Sequence, residues 1–425
     1  MSLMIRLFHN IKEKVASWKN YYGCEYCALI IILGLTFLFY YFLLDSGIVW
    51  GGDAARYIYA AFLLTKGEIF AHIHPLGFPI ILALVYSITK SGTDYFSLTL
   101  VIFHLISMIL LYYIVKPFFN DIRSYLIILT FGFATVHNNL YLFRTILSDV
   151  PFLTFSLASL LIIQNQYVFN KIYQRRFIHS LIIALLLGVL LGYTYIIRSS
   201  AITLVISLMI IQILSWHYAS RQFTLKNILM NIAPFLSFGF FYVIYQIFVP
   251  VNTALKYYQI FSNYDNYYQI FWETASRRFI DGVSIFLGNN TDMSEYILFY
   301  ITLPFFLIGL LIYSKKVYHI IIFGIIYYLL HVILIGLKGD DYRFMLPISL
   351  FYLFFVFMGT YYIEKKISPN FHQLFSILLT VLLLIVALNS GLNYYYQHHS
   401  NNTIIYQNGP NAPYSIQMFD YVKGN

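Results

Sequence analysis

Two aspartates and several arginines stand where long apolar runs break. Asp53 follows Gly51-Gly52 in WGGDAARYIY, and Arg144 and Asp149 lie in NNLYLFRTILSDVPF. A charge at a membrane boundary is costly to place, and its default reading is a task. A carboxylate can take a proton from a hydroxyl, and a guanidinium fork matches the oxygens of a phosphate. Two acids and an arginine on one side of a bilayer therefore suggest a site that handles a phosphate and a hydroxyl.

Asp53, Arg56 and Tyr57 share one helical face at i, i+3 and i+4 spacing, in a stretch that Gly67 closes. Helix capping is the competing explanation for Asp53, and also for Ser148-Asp149 ahead of Pro151. Arg144 has no such structural excuse. Arg198, at the end of GYTYIIRSS, and Arg343, in KGDDYRFMLP, would join Arg144 in a guanidinium cluster suited to a phosphate, or serve singly as interfacial anchors. His72 and His74 precede Pro75; two imidazoles are too few for a zinc site, which leaves His74 as an interfacial or substrate-contacting group. The tyrosines and Arg277-Arg278 of 250–294 read as interfacial aromatics or a stacking surface. Cys24 and Cys27 form a lone CxxC with no second pair. His104, Gln212, Gln246 and His331 lie within apolar spans and read as packed, hydrogen-bonded groups. No phosphate loop, dinucleotide fingerprint, HExxH or GxSxG is present.

The elements that must position these residues are apolar helices. Of the 425 residues, 60% are hydrophobic and 10% charged, with mean hydropathy +0.72. A soluble domain carries about 25% charged residues. The expectation is an all-α polytopic membrane protein forming a single membrane domain over 1–425. Apolar runs fall at 26–44, 96–116, 124–141, 150–166, 178–196, 199–215, 228–249, 295–313, 318–336, 343–362 and 372–391. The run Leu76–Thr89 is short and contains Pro79, and counting it as a span reverses every later segment. Left in the plane of the membrane, it puts fifteen of the 26 lysines and arginines on the side of the basic N-terminus, as the positive-inside rule requires.

The resulting topology has about eleven transmembrane helices and two in-plane helices in the first outer loop. Residues 1–25 form a cytoplasmic amphipathic N-terminus with no cleavage site after it; outer segments span 45–95 and 250–294, with an outer tail at 392–425. The net charge of +9 is scattered among loops, which favours anionic lipid headgroups over nucleic acid as the partner. The location expected is the cell inner or plasma membrane, with the site extracytoplasmic.

Several motifs in order resemble the GT-C membrane glycosyltransferases, nearest to the protein O-mannosyltransferase and aminoarabinose-transferase branch. They are the acid Asp53 early in a long first outer loop, His74-Pro75-Leu76-Gly77-Phe78, Arg144-Thr145-Ile146-Leu147-Ser148-Asp149, and the late Tyr342-Arg343-Phe344-Met345-Leu346-Pro347. The likeness covers about residues 45–200 and the late motif. The chain has Ala54 where that branch has a second acid and Phe78 where it has a lysine, and no soluble domain interrupts its outer loops.

The resemblance implies a GT-C type fold and an inverting transfer of sugar from a polyprenyl-phosphate donor. Asp53 would be the general base and Asp149 would orient a substrate. Arg56, Tyr57, His74, Arg144, Arg198 and Arg343 would contact substrate, the arginines holding the phosphate. The acceptor is left open among glycan, lipid and protein. No cofactor beyond the lipid-linked donor is implied, and a divalent metal is left open. Two other readings stay on the table: an O-antigen-type glycan polymerase or ligase using a diphosphate-linked donor, and a lipid or solute transporter. A transporter would place acids or broken helices at the midplane, whereas the spans here are nearly free of charge.

Overall fold

The structure is a computed structural model, and it describes residues 26–44, 52–69, 75–90, 94–119, 121–134, 140, 142–169, 171–174, 176–218, 224–249, 275, 279–280, 283, 294–335, 345–367 and 373–399. Among the described residues the regular structure is helical. α1 (Cys27–Leu43) is followed by two short helices, α2 (Gly52–Thr65) and α3 (Gly77–Thr89), and then by α4 (Asp94–Val115) and α5 (Arg123–Ala134). α6 (Asp149–Ile163) runs on into a π-helical turn at Gln164–Val168. α7 (Phe177–Ile197), the 3-10 turn Ser199–Ala201, α8 (Ile202–Tyr218) and α9 (Leu225–Phe248) come next. α10 (Ser294–Tyr313), α11 (Tyr318–Ile335), α12 (Leu346–Ile367) and α13 (Leu374–His399) complete the order.

Eleven of these helices, α1 and α4 to α13, fall on the eleven apolar runs read from the sequence, and α2 and α3 lie within the segment between the first two of those runs. Among the described residues six helices are long and apolar enough to cross a membrane: α4, α7, α9, α12, α13 and the stretch Ser199–His217 containing α8. α3 has 13 residues, which at 1.5 Å per residue reach about 20 Å, well short of a 30 Å hydrocarbon core. α2 ends as expected at Gly67, whose φ of 79° suits a residue without a Cβ. The amphipathic N-terminus lies outside the described residues; of the tail expected from residue 392, the first eight residues continue α13 as helix to His399 and the rest lies outside the described residues.

α12 is the central element, buried along most of its length, whereas α9 is largely exposed on the rim. The main pairings are α4 with α6, α7 with α9, α10 with α12, α8 with α11, and α13 with α5. Large apolar side chains such as Leu236, Phe240, Ile247, Leu311 and Ile385 face outward, as expected where the solvent is lipid rather than water.

One polar lock lies within this apolar body. Arg123 and Glu364 are fully buried, and Arg123 pairs with Glu364 of α12 and with Asp121. Glu364 Oε1 also accepts the Ser376 backbone N–H at 2.8 Å, tying α13 to the same point. The guanidinium carbon lies 4.7 Å from the centre of the Tyr361 ring. Sequence reading counts Arg123 among the loop cations facing lipid headgroups; the structure buries it instead, because a guanidinium with two carboxylates and a ring to meet need not stay wet.

Removing one partner of a buried ion pair costs about 3–5 kcal/mol, since the other charge stays stranded. Glu364→Ala should therefore lower the thermal midpoint of the purified protein sharply. Lys365→Ala beside it should not, and equal midpoints for the two variants would refute the lock.

Candidate active site

The short helices α2 and α3 bring the early motif to the bundle. Asp53 sits in the first turn of α2, where a carboxylate complements the helix dipole. Its partner is Arg56, one turn on, at 3.8 Å, and both side chains stay partly open, Asp53 at 25% and Arg56 at 29%. Tyr57 turns the other way and is buried. Its hydroxyl shares a 3.1 Å hydrogen bond with Ser148 Oγ, which joins α2 to the start of α6, 91 residues away.

Ser148 holds the N-cap position of α6 but makes no side-chain cap. The expectation that Ser148-Asp149 caps this helix is corrected here: the Ser148 hydroxyl is engaged by Tyr57. Asp149 occupies the first turn of α6 and is only 4% exposed. The ion pair the structure shows for it is with Arg198, not with Arg144 five residues before it. Arg198 follows the last residue of α7 in an extended backbone conformation (φ −155°, ψ 124°), which turns its side chain out of the helical path.

Tyr57 links the two acidic motifs, since it lies one turn from Asp53 and bonds the residue before Asp149. The Tyr57 phenol is pushed up to about 12, by burial first and by the charges of Asp53 and Asp149, against the Ser148 bond and Arg198, which pull it down. One hydroxyl thus feels Asp53, Asp149 and Arg198 together, although they come from three different elements. Tyr57 stays a neutral phenol throughout the physiological range.

Two local features hold this arrangement. Gly77, from the HPLGFP segment, lies against the end of α7, where a Cβ would come within 2.6 Å of the Ile196 carbonyl. The Gly77 carbonyl accepts from the Tyr193 hydroxyl at 3.2 Å, and the Leu76 N–H donates to the Tyr245 hydroxyl at 3.1 Å. α3 is therefore docked on the two residues that precede Arg198. Phe78 is fully buried, with its ring edge-on to Tyr57 at 5.2 Å. This is the position where the resembling branch carries a lysine.

The second feature is Ile146, buried at φ 49°. A β-branched residue in the left-handed region is strained, by about 1–3 kcal/mol. The turn it makes separates the short helical piece ending at Arg144 from α6. Arg144 itself is buried on that turn. Ser97 Oγ donates to the Phe143 carbonyl at 2.9 Å and holds the segment from outside.

The structure thus brings together Asp53, Arg56, Tyr57, Asp149 and Arg198. Arg144 lies on the segment leading to Asp149. His74 and Arg343 lie outside the described residues, as do His72, Asp340, Asp341 and Arg277-Arg278. Ser148, read from sequence as a cap, and Gly77, read as part of a motif, also belong here, as does Phe152, for which nearness to Asp149 in sequence is the signal. His104 is buried among the rings of Tyr40, Phe131 and Phe143, as its position in a span suggests. Among the described residues no group of three His, Cys, Asp or Glu side chains comes together. Asp53 and Asp149 are each engaged by a guanidinium.

No family model matches the sequence, and no curated protein matches it. Solved structures do match in fold. The archaeal oligosaccharyltransferase AglB from Archaeoglobus fulgidus, in complex with an inhibitory peptide and a dolichol-phosphate, aligns with TM-score 0.52 at 10% identity, covering 92% of this chain and 59% of that one. The Archaeoglobus fulgidus oligosaccharyltransferase in complex with zinc and sulfate gives 0.52 at 9% identity, over 92% and 56%. The same organism's enzyme tethered to an acceptor peptide bearing the NVT sequon gives 0.52 at 10%, over 95% and 59%. The chain spans less than two thirds of the length of these neighbours. At these identities the likeness shows a shared fold, in agreement with the polytopic helical architecture expected from the sequence.

A double-mutant cycle tests the link between α2 and α6. Tyr57→Phe and Ser148→Ala should each destabilise, and the pair should cost less than the sum by about 0.5–1.5 kcal/mol, the worth of one hydrogen bond. Strictly additive midpoints would show that the two hydroxyls do not meet. Gly77→Ala should push α3 off α7 and lower both the thermal midpoint and any activity that needs Arg198.

Proposed function

We propose that this chain is an integral membrane glycosyltransferase that moves a sugar from a polyprenyl-phosphate donor to an extracytoplasmic acceptor. The observation that carries the reading is the unequal environment of two carboxylates that the Tyr57–Ser148 hydrogen bond brings toward one another. Asp53 is a quarter exposed and reachable, whereas Asp149 is buried and locked to Arg198. Unequal surroundings divide the labour between two acids.

In this reading Asp53 accepts the proton of the acceptor hydroxyl or amide. The acceptor oxygen or nitrogen bonds to the anomeric carbon, the bond from that carbon to the phosphate oxygen breaks, and the lipid phosphate leaves with the electron pair. Attack opposite the leaving group inverts the configuration. Arg198, oriented by Asp149, meets the charge that grows on the departing phosphate, together with Arg56 and Arg144. Tyr57 holds α2 and α6 in register so that base and guanidinium face the same substrate. His74 and Arg343 would complete the phosphate and acceptor contacts. No step is routed through a metal.

Several findings support the reading. The fold neighbour binds a dolichol-phosphate, a lipid of the donor class read from the motifs, and its acceptor is a peptide. The acceptor here is a glycan, a lipid or a protein of the cell envelope. Charge placement supports an N-terminus in the cytoplasm, with α2 and α3 lying along the outer surface and the site opening extracytoplasmically.

Asp53→Asn should abolish sugar transfer, by at least about a hundredfold, while expression and donor binding persist. Full transfer by that variant in a membrane assay would remove Asp53 as the base. In donor competition, monophosphate-linked polyprenyl sugars should inhibit and diphosphate-linked ones should not. The opposite order would move the chain to the polymerase or ligase class. Substrate flux in proteoliposomes without a transfer product would make it a transporter.

A further inference from the structure

A column of rings lies beneath the Asp149–Arg198 pair. Phe152 is one turn below Asp149 on α6, and the Arg198 guanidinium carbon is 5.9 Å from the centre of its ring. Phe152 meets Tyr327 of α11, with ring centres 6.0 Å apart and planes at 25°. His331, the next turn of α11, stacks on Tyr327 at 3.8 Å and 26°. Its Nδ1 lies 2.9 Å from the Tyr327 carbonyl oxygen. A carbonyl only accepts, so Nδ1 carries the hydrogen and the imidazole is held over the phenol.

Three facts bear on what this column does. Phe152, Tyr327 and His331 are 1%, 1% and 3% exposed, so none of them presents a surface on which a sugar could stack. The Tyr327 hydroxyl feels both charges of the Arg198–Asp149 pair. α11 also packs against the Ser199–Ala201 turn that follows Arg198. The column therefore reaches Arg198 both through its side chain and through the backbone behind it. A guanidinium over an aromatic face is attracted by the ring quadrupole, and a fixed ring fixes the plane it rests on.

We propose that Tyr327 is a positioning residue of the site. Clamped by His331, it holds Phe152 as the floor on which the Arg198 guanidinium rests, so that Arg198 engages Asp149 and an anionic phosphate in a single orientation. This rests on the reading that Arg198 handles the donor phosphate. His331, placed in a span by its sequence and read there as simple packing, is the back of that support.

The test uses the purified full chain in detergent with two probes of equal chain length, farnesyl phosphate and farnesol, and reads affinity for each. Tyr327→Leu should weaken farnesyl phosphate by about tenfold, roughly the contribution of one desolvated cation–π contact, and leave farnesol unchanged. Tyr327→Phe should restore the preference, since it keeps the ring. In an Arg198→Gln background, which should lose the preference for phosphate, Tyr327→Leu should add nothing. If Tyr327→Leu does not fold, Phe152→Leu carries the same expectation.

Equal weakening of both probes, no change in either, or additive losses in the double variant would overturn the positioning role while leaving Arg198 as the phosphate ligand. A preference for phosphate that survives Arg198→Gln would overturn the reading beneath it, and the proposal with it.

Discussion

The Asp149–Arg198 pair joins the start of α6 to the end of α7, and the geometry of the site depends on it. A carboxylate as buried as Asp149 is tolerable only when a counter-charge meets it, because desolvation costs several kcal/mol per ion. Each charge also sits at the helix end that favours it, the acid at an N-terminus and the guanidinium at a C-terminus. Neither helix end can drift without exposing its partner to an apolar surround. The pair is thus a spatial reference against which the more open Asp53 and Arg56 are placed.

That reference is reinforced from three sides. From the loop side, Tyr57 spans to Ser148, with Phe78 edge-on to its ring. From the flank, Gly77 lets α3 press on the backbone of Ile196 and Ile197. From within the bundle, Phe152 and Tyr327 lie beneath the guanidinium. The strain at Ile146 persists because the residues around it are buried and leave the backbone no other path.

The opposite sign of design appears at the other polar cluster. Arg123, Asp121 and Glu364 form a closed set, with each charge consumed by another and by Ser376. Such a set fixes α5, α12 and α13 without offering anything to a ligand. At Asp53 the carboxylate stays partly open and meets one guanidinium at 3.8 Å, whereas Glu364 at the heart of the closed set is fully buried. Burial and exposure, more than residue type, separate a lock from a site.

Much of this was legible in the chain itself. The eleven apolar runs dictate eleven helices, since a backbone in lipid must satisfy its own hydrogen bonds. Gly67 and the short run to Thr89 announce two helices too brief to span. The i, i+3, i+4 spacing alone puts Asp53, Arg56 and Tyr57 on adjoining turns. Local patterns of this kind are written in sequence because neighbouring residues enforce them. Which arginine would meet Asp149 was not: the nearest candidate was Arg144, and the structure chose Arg198, 49 residues later. Nor could any spacing foretell that Arg123 would be buried against a glutamate on α12, or that Tyr327 would come to lie beneath Arg198. Those pairings depend on how helices far apart in the chain are stacked, and stacking is decided by the fit of whole surfaces, which only the folded tertiary structure brings together.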